Sequence, residues 1–145
     1  MGLLGFFGFK KYGVSVYTLY SSIVAQSRNE EFYLKYGVKD TINGRFDLIT
    51  LHMFIILRRL KKIEKKGETL SQDLFDVMFE DMDKNMREMG VGDLRVGKNV
   101  KSLAIAFYGR LKAYDKGLEG LKVSDLDEAL KRNLFLDMEP TDNQV

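Results

Sequence analysis

"KDTINGRFDLITLHMFIILRRLKKIEKKG", residues 39–67, decides the fold. From Phe46 to Leu57 it is apolar almost all round. Phe46, Ile49, Met53, Ile56, Leu57 and Leu60 form one stripe at helical spacing, and Leu48, Leu51, Phe54 and Ile55 cover the other sides. A surface helix buries one face, so a helix like this one sits between neighbours. The spacing predicts a single long helix from about Asn43 to Lys65, closed by Gly67.

Helical periodicity continues on both sides. Upstream, "VSVYTLYSSIVAQSR" (14–28) puts Val16, Leu19, Tyr20, Ile23 and Ser27 on one face. "NEEFYLKYGV" (29–38) reads as a short helix or turn ending at Gly37. Downstream, "TLSQDLFDVMFEDMDKNMREMG" (69–90) predicts a helix with Thr69 or Ser71 as N-cap and Gly90 as its stop. Two more follow, over "VGKNVKSLAIAFYGRLKAYDKGLEG" (96–120) and "VSDLDEALKRNLF" (123–135), the last capped by Ser124. The one proline is Pro140, and strand-like alternation is scarce. The expected fold class is all-α: a compact multi-helix single domain with short interhelical loops, residues 14–137. An apolar and basic arm (1–13) precedes it, and a flexible tail (138–145) follows.

The 145 residues are enough for one domain with a real core. The absence of cysteine excludes disulfides and thiolate metal ligands. One histidine leaves little room for a zinc site. No apolar run reaches the roughly 18 residues of a spanning helix. The net charge of +2 hides segregated sign. "RRLKKIEKK" (58–66) carries six bases against one acid, whereas residues 68–93 carry eight acids against two bases. Such fields steer partners and suppress wrong ones. The basic run could meet phosphates, but the acidic helix follows at once and no recognition module is visible. No DNA partner is expected, and ribosome contact stays open.

Two near-motifs fail on inspection. Asp81, Asp83 and Asn85 sit at the first, third and fifth positions of a calcium loop, yet Met86 and Gly92 stand where glycine and glutamate are needed. "GDLRVGKN" (92–99) matches a phosphate-binding loop until Asn99, where Ser or Thr would hold Mg²⁺, and a helix rather than a strand precedes it. The preferred reading is an interhelical connection: Gly90 adopts positive φ, and Gly92 lets backbone approach backbone. No metal, cofactor or catalytic residue is assigned.

Several charges fall on apolar faces and need partners, since desolvating one alone costs several kcal/mol. Arg110 lies between Leu103 and Tyr114 on the core face of its helix. The signs suggest structural ion pairs among Asp81, Glu88, Arg110 and Arg45. His52 borders the main stripe, and an isolated histidine there is more often a satisfied core residue than a catalyst. On the acidic helix, Met78 and Met82 read as core filler. "MGLLGFFGFKKYG" (1–13) lacks a leading positive charge for a signal peptide and carries Phe6 where myristoylation wants Ser or Thr. Three readings of this arm compete: a partner-binding peptide is one, and another packs Leu3, Leu4, Phe6 and Phe7 on the arm's own domain. The third holds it at a membrane through Phe6, Phe7, Phe9, Lys10 and Lys11, with Arg58, Arg59 and Lys62 as a further contact.

"GRFD" (44–47), "LRRLK" (57–61), "FEDMDKNMREMGVGDL" (79–94) and "FYGRLKAYD" (107–115), in this order and spacing, resemble the ubiquinol-cytochrome c chaperone family. The resemblance covers about residues 17–118 and leaves out the tail after Leu118. It implies a non-enzymatic helical assembly factor without a cofactor. Its client would be a membrane cytochrome of the cytochrome b type, met during biogenesis of the ubiquinol-cytochrome c reductase complex. It further implies the short bacterial form, working in the bacterial cytoplasm at the inner face of the cytoplasmic membrane. Client contact would fall on Asp76, Glu80, Asp83, Met86, Arg87, Met89 and Asp93, where flexible methionines mix with charges. The alternative is a membrane-surface lipid-binding or adaptor module.

Overall fold

The computed structural model describes residues 12–120 and 124–134. Six helices make up the described chain, with no strand: α1 (Val14–Ser27), α2 (Glu30–Leu34), α3 (Ile42–Leu60), α4 (Glu64–Glu88), α5 (Asp93–Glu119) and α6 (Ser124–Asn133). The fold is all-α, as the periodicity predicts. Residues 1–11 of the expected arm (1–13) and all of the expected tail (138–145) lie outside the described residues, and with them the membrane contacts assigned to Phe6, Phe7, Phe9, Lys10 and Lys11.

α3 is the central helix, but it is not enclosed all round as its composition predicts: Ile55 is 56% exposed, on a side that no described helix covers. Phe46, Ile49, Met53 and Leu60 pack with Val16, Tyr20 and Ile23 of α1, with Leu74, Val77, Met78 and Phe79 of α4, and with Phe107 of α5. Another side carries Phe54 against Tyr114 of α5 and Ala129 and Leu130 of α6. Leu48 meets Val38 on a third side. Met78 is fully buried and Met82 packs against the core, so both are filler. None of the described helices is long and apolar enough to cross a membrane.

Local chemistry fixes the start of α3. The Thr41 hydroxyl accepts from the Gly44 amide at 3.0 Å, which satisfies one of the open donors of the first turn. A Cβ on Gly44 would lie 1.9 Å from the Lys39 carbonyl oxygen, so the glycine of "GRFD" is required by space.

The end of α3 corrects the sequence reading. Instead of running on to Lys65, the helix stops at Leu60, and α4 begins at Glu64. Ile63 N–H donates to the Leu60 carbonyl at 2.9 Å, and Gly67 N–H to that of Ile63 at 2.6 Å. Gly67 therefore closes nothing. It lies inside the next helix, buried, where a Cβ would sit 2.0 Å from the Leu60 carbonyl oxygen. Neither Thr69 nor Ser71 is an N-cap, and the Thr69 hydroxyl instead donates back to the Lys65 carbonyl at 3.1 Å. Neither glycine nor proline marks residues 61–63, so no local signal separates the two helices. Close backbone packing makes the break.

Gly67→Ala is therefore expected to destabilise the protein by about 1–3 kcal/mol, the usual cost of overpacking. Gly109 lies in open space within α5, so Gly109→Ala should gain roughly 0.5–1 kcal/mol. Urea denaturation of both variants checks the pair.

Candidate functional site

The acidic helix is partly used by the fold itself. Tyr12 donates its phenol proton to Asp76 at 2.9 Å, and Tyr20 donates to Asp81 at 2.8 Å. Burial raises the Tyr20 pKa, with the charge and hydrogen bond of Asp81 acting in the same direction. Gln72 also donates to Asp76, at 2.9 Å. Burial raises the Glu80 pKa as well, helped by the nearby Asp76 charge.

The far end of α4 is open. Gly90, at φ +85°, takes the left-handed conformation the sequence predicts. Val91 N–H donates to the Met86 carbonyl and Gly90 N–H to that of Arg87, both at 3.0 Å. This pair of bonds ends the helix and caps its last carbonyls. Arg87 Nε donates to Asp83 at 2.6 Å, and its Nη1 donates to Asp93 across the turn. One guanidinium thus ties the end of α4 to the start of α5. Met89 is 61% exposed on this corner and Met86 is half-buried beside it. The corner gathers Asp83, Met86, Arg87, Met89 and Asp93, whereas Asp76 and Glu80 lie further back along α4.

Gly92 departs from expectation: a Cβ there would meet nothing, so no close backbone approach explains it. Asp81, Asp83 and Asn85 lie on uninterrupted helix, with Asp81 bonded to Tyr20 and Asp83 to Arg87. "GDLRVGKN" spans the N-cap and first turns of α5.

The ion pairs need correction too. Arg110 is largely buried, as expected, but its partner is neither Asp81 nor Glu88. Its Nη2 lies 2.9 Å from Asp47 Oδ1. The contact is close without being aligned as a hydrogen bond, and the guanidinium also stands over the Phe46 ring, 5.4 Å from its centre. Thr50 Oγ1 and the Tyr114 hydroxyl are likewise buried without a hydrogen-bond partner among the described residues. Burial raises the Asp47 pKa to about 6, with Arg110 pulling the other way. Glu88 is exposed, 4.0 Å from Lys84, and Arg45 forms an exposed pair with Asp40 at 2.8 Å. Asp47 escaped the sequence reading, although a carboxylate embedded in "RFDLIT" was itself a signal that a cation was needed.

The basic end of α3 is not free either. Arg58 is bonded to Asp115 and lies 3.8 Å from Glu119, and Lys61 reaches Asp115 at 3.4 Å. This removes two of the cations a phosphate-binding reading needs, and Arg59 and Lys62 remain exposed. His52 Nδ1 donates to the Leu48 carbonyl at 2.7 Å, and the ring meets Phe32 edge-on at 5.3 Å.

Three of the four quoted motifs are thus brought together by α3. "GRFD" and "FYGRLKAYD" meet at Asp47 and Arg110, while "LRRLK" and "FYGRLKAYD" meet at Arg58 and Asp115. A family model described as ubiquinol-cytochrome C chaperone matches residues 34–145. The chain belongs to that family.

The family match runs through the tail, correcting the expectation that likeness ends near Leu118. Ubiquinol-cytochrome c reductase complex assembly factor 1 of Mus musculus is 30% identical over 120 residues, covering 81% of this chain and 41% of the relative. The Xenopus laevis protein of that name is 28% identical over 140 residues, covering 93% and 68%. The chain spans about two fifths of the length of its mouse and human relatives. The crystal structure of the Cbp3 homolog from Brucella abortus is 40% identical, with a TM-score of 0.75, covering 86% of this chain and 68% of that one.

The buried pair generates a pH-dependent prediction. Arg110→Ala strands Asp47, which should cost about 3–5 kcal/mol at pH 7.5. Asp47 has a raised pKa, so its neutral form is favoured in the folded state. Stability linked to it is present below the unfolded value near 4 and is lost as pH rises through about 6. The cost of Arg110→Ala should therefore shrink at pH 5, where the lone Asp47 protonates. Denaturation midpoints of parent and variant at the two pH values test this. A cost independent of pH would mean that Asp47 does not titrate in this window.

Proposed function

We propose that this chain is a non-enzymatic assembly chaperone of the ubiquinol-cytochrome c reductase complex, and that its client is a membrane cytochrome of the cytochrome b type. Membership of the chaperone family carries the reading, and the relatives' names as assembly factors of that complex support it. The α4–α5 corner is the proposed client seat. Methionine is flexible and polarisable, so Met86 and Met89 suit an apolar segment whose exact shape varies. The surrounding carboxylates suit the basic residues enriched at the cytoplasmic ends of membrane helices. Arg87, clamped by Asp83 and Asp93, keeps the corner ordered before a client arrives, which limits the entropy lost on binding.

The test is capture of the cytochrome from detergent-solubilised membranes by the tagged full chain, read by immunoblot. The paired substitution Met86→Ser and Met89→Asp should lower capture at least fivefold, an effect of about 1 kcal/mol or more. Because Met89 is mostly exposed, thermal unfolding should move little. Undiminished capture would place the client elsewhere, and no capture by the parent chain would overturn the reading.

A further inference from the structure

α5 carries a second surface that lies outside the proposed client seat and, among the described residues, meets the core only through Tyr108. Leu94, Lys98, Lys101, Ile105, Tyr108 and Lys112 recur every three or four residues and so share one side of the helix. All are exposed, Leu94 by 89%, Ile105 by 67% and Tyr108 by 56%. The three lysines have no carboxylate within ion-pair distance among the described residues, unlike Arg58 and Lys61 on α3. Tyr108 is nevertheless held in place, its ring 5.3 Å from that of Phe75 and 5.8 Å from that of Phe107. The stripe thus interleaves apolar side chains with unneutralised cations and offers one ordered aromatic edge.

We propose that this face of α5 docks on the surface of an anionic lipid bilayer. Leu94, Ile105 and Tyr108 would enter the headgroup boundary, where an aromatic ring with a polar tip is favoured. Lysine stems would lie along the same boundary while their ammonium groups reach the lipid phosphates. Charge decides the occupant. A bilayer of negative headgroups complements unpaired lysines along the stripe, whereas basic segments of a membrane protein would be repelled by them. Because α5 starts at the α4–α5 corner, docking along it brings that corner to the membrane surface. This extends the proposed function without depending on the client seat being right.

The test is flotation of the full chain with phosphatidylglycerol-containing and with pure phosphatidylcholine vesicles. Binding to the anionic vesicles and not to the neutral ones is expected. Lys98→Glu, Lys101→Glu and Lys112→Glu together should weaken it at least about tenfold, given what each lysine contributes near an anionic surface. Leu94→Ser with Ile105→Ser should weaken it severalfold. Flotation lost on Arg59→Glu with Lys62→Glu and kept by the α5 variants would place the contact at the end of α3 and overturn the proposal. Circular dichroism and thermal unfolding verify that each variant is folded. Gly97 and Gly109 flank the stripe with open space beside them, so alanine at both should not affect lipid docking. Loss of flotation on those alanine changes would point to a tightly packed partner helix and overturn the proposal. So would flotation that survives charge reversal, which would assign it to another segment, or a full chain that never floats. Cytochrome capture in detergent, where no bilayer exists, is read separately: capture retained by the lysine variants keeps the chaperone reading apart from the fate of this one.

Discussion

α3 must be covered over most of its circumference, with Ile55 left 56% exposed, and the rest of the molecule follows from that constraint. A helix with Phe46, Leu48, Ile49, Met53 and Phe54 around its circumference cannot face water, so α1, α4, α5 and α6 close around it. Within that apolar setting, among the described residues, sits one charged contact, Asp47 with Arg110. Replacing such a pair with well-packed apolar groups is often neutral for stability, but removing one partner is costly. Its value here is positional. α5 can only rotate or slide against α3 by separating Arg110 from both Asp47 and the Phe46 ring. Further along, Arg58 and Lys61 on Asp115 hold the same two helices at their C-terminal ends.

That arrangement sets what the outer helices can present. Tyr12 and Tyr20 take up Asp76 and Asp81, and this leaves the last turns of α4 as the open part of the acidic helix. Arg87 then fixes the turn into α5, so the exposed methionine stands on an ordered corner rather than a loose loop. The opposite sign is displayed on α5, where Lys98, Lys101 and Lys112 have no carboxylate within ion-pair distance among the described residues. The near-zero net charge of the chain is thus a sum over surfaces of opposite sign.

Much of this was legible in the sequence. The central helix followed from apolar residues on all its sides, and Gly90 from its place at the end of a periodic run. Met78 and Met82 followed from their four-residue spacing. The break between α3 and α4 was not legible, because "KKI" at residues 61–63 has the composition of a helix and the reversal depends on Gly67 seated against Leu60. Nor was the partner of Arg110 legible. Matching signs along the chain offered Asp81 and Glu88, and only the packing of α5 on α3 selects Asp47. The pairing of Arg58 and Lys61 within "RRLKK" was not legible for the same reason, since their carboxylate, Asp115, is more than fifty residues away in sequence. Local pattern identifies faces and turns, while long-range pairing is settled by three-dimensional packing.

The central claim is that the α4–α5 corner meets a membrane cytochrome while its complex is being built. A photo-crosslinking amino acid at position 89, introduced into cells actively assembling the reductase, tests this most directly. A second probe at Thr18, exposed on α1 away from the corner, serves as control. The account predicts an adduct with the cytochrome from position 89 and none from position 18. Adducts from position 18 alone, or no adduct at position 89 while assembly proceeds normally, would contradict it.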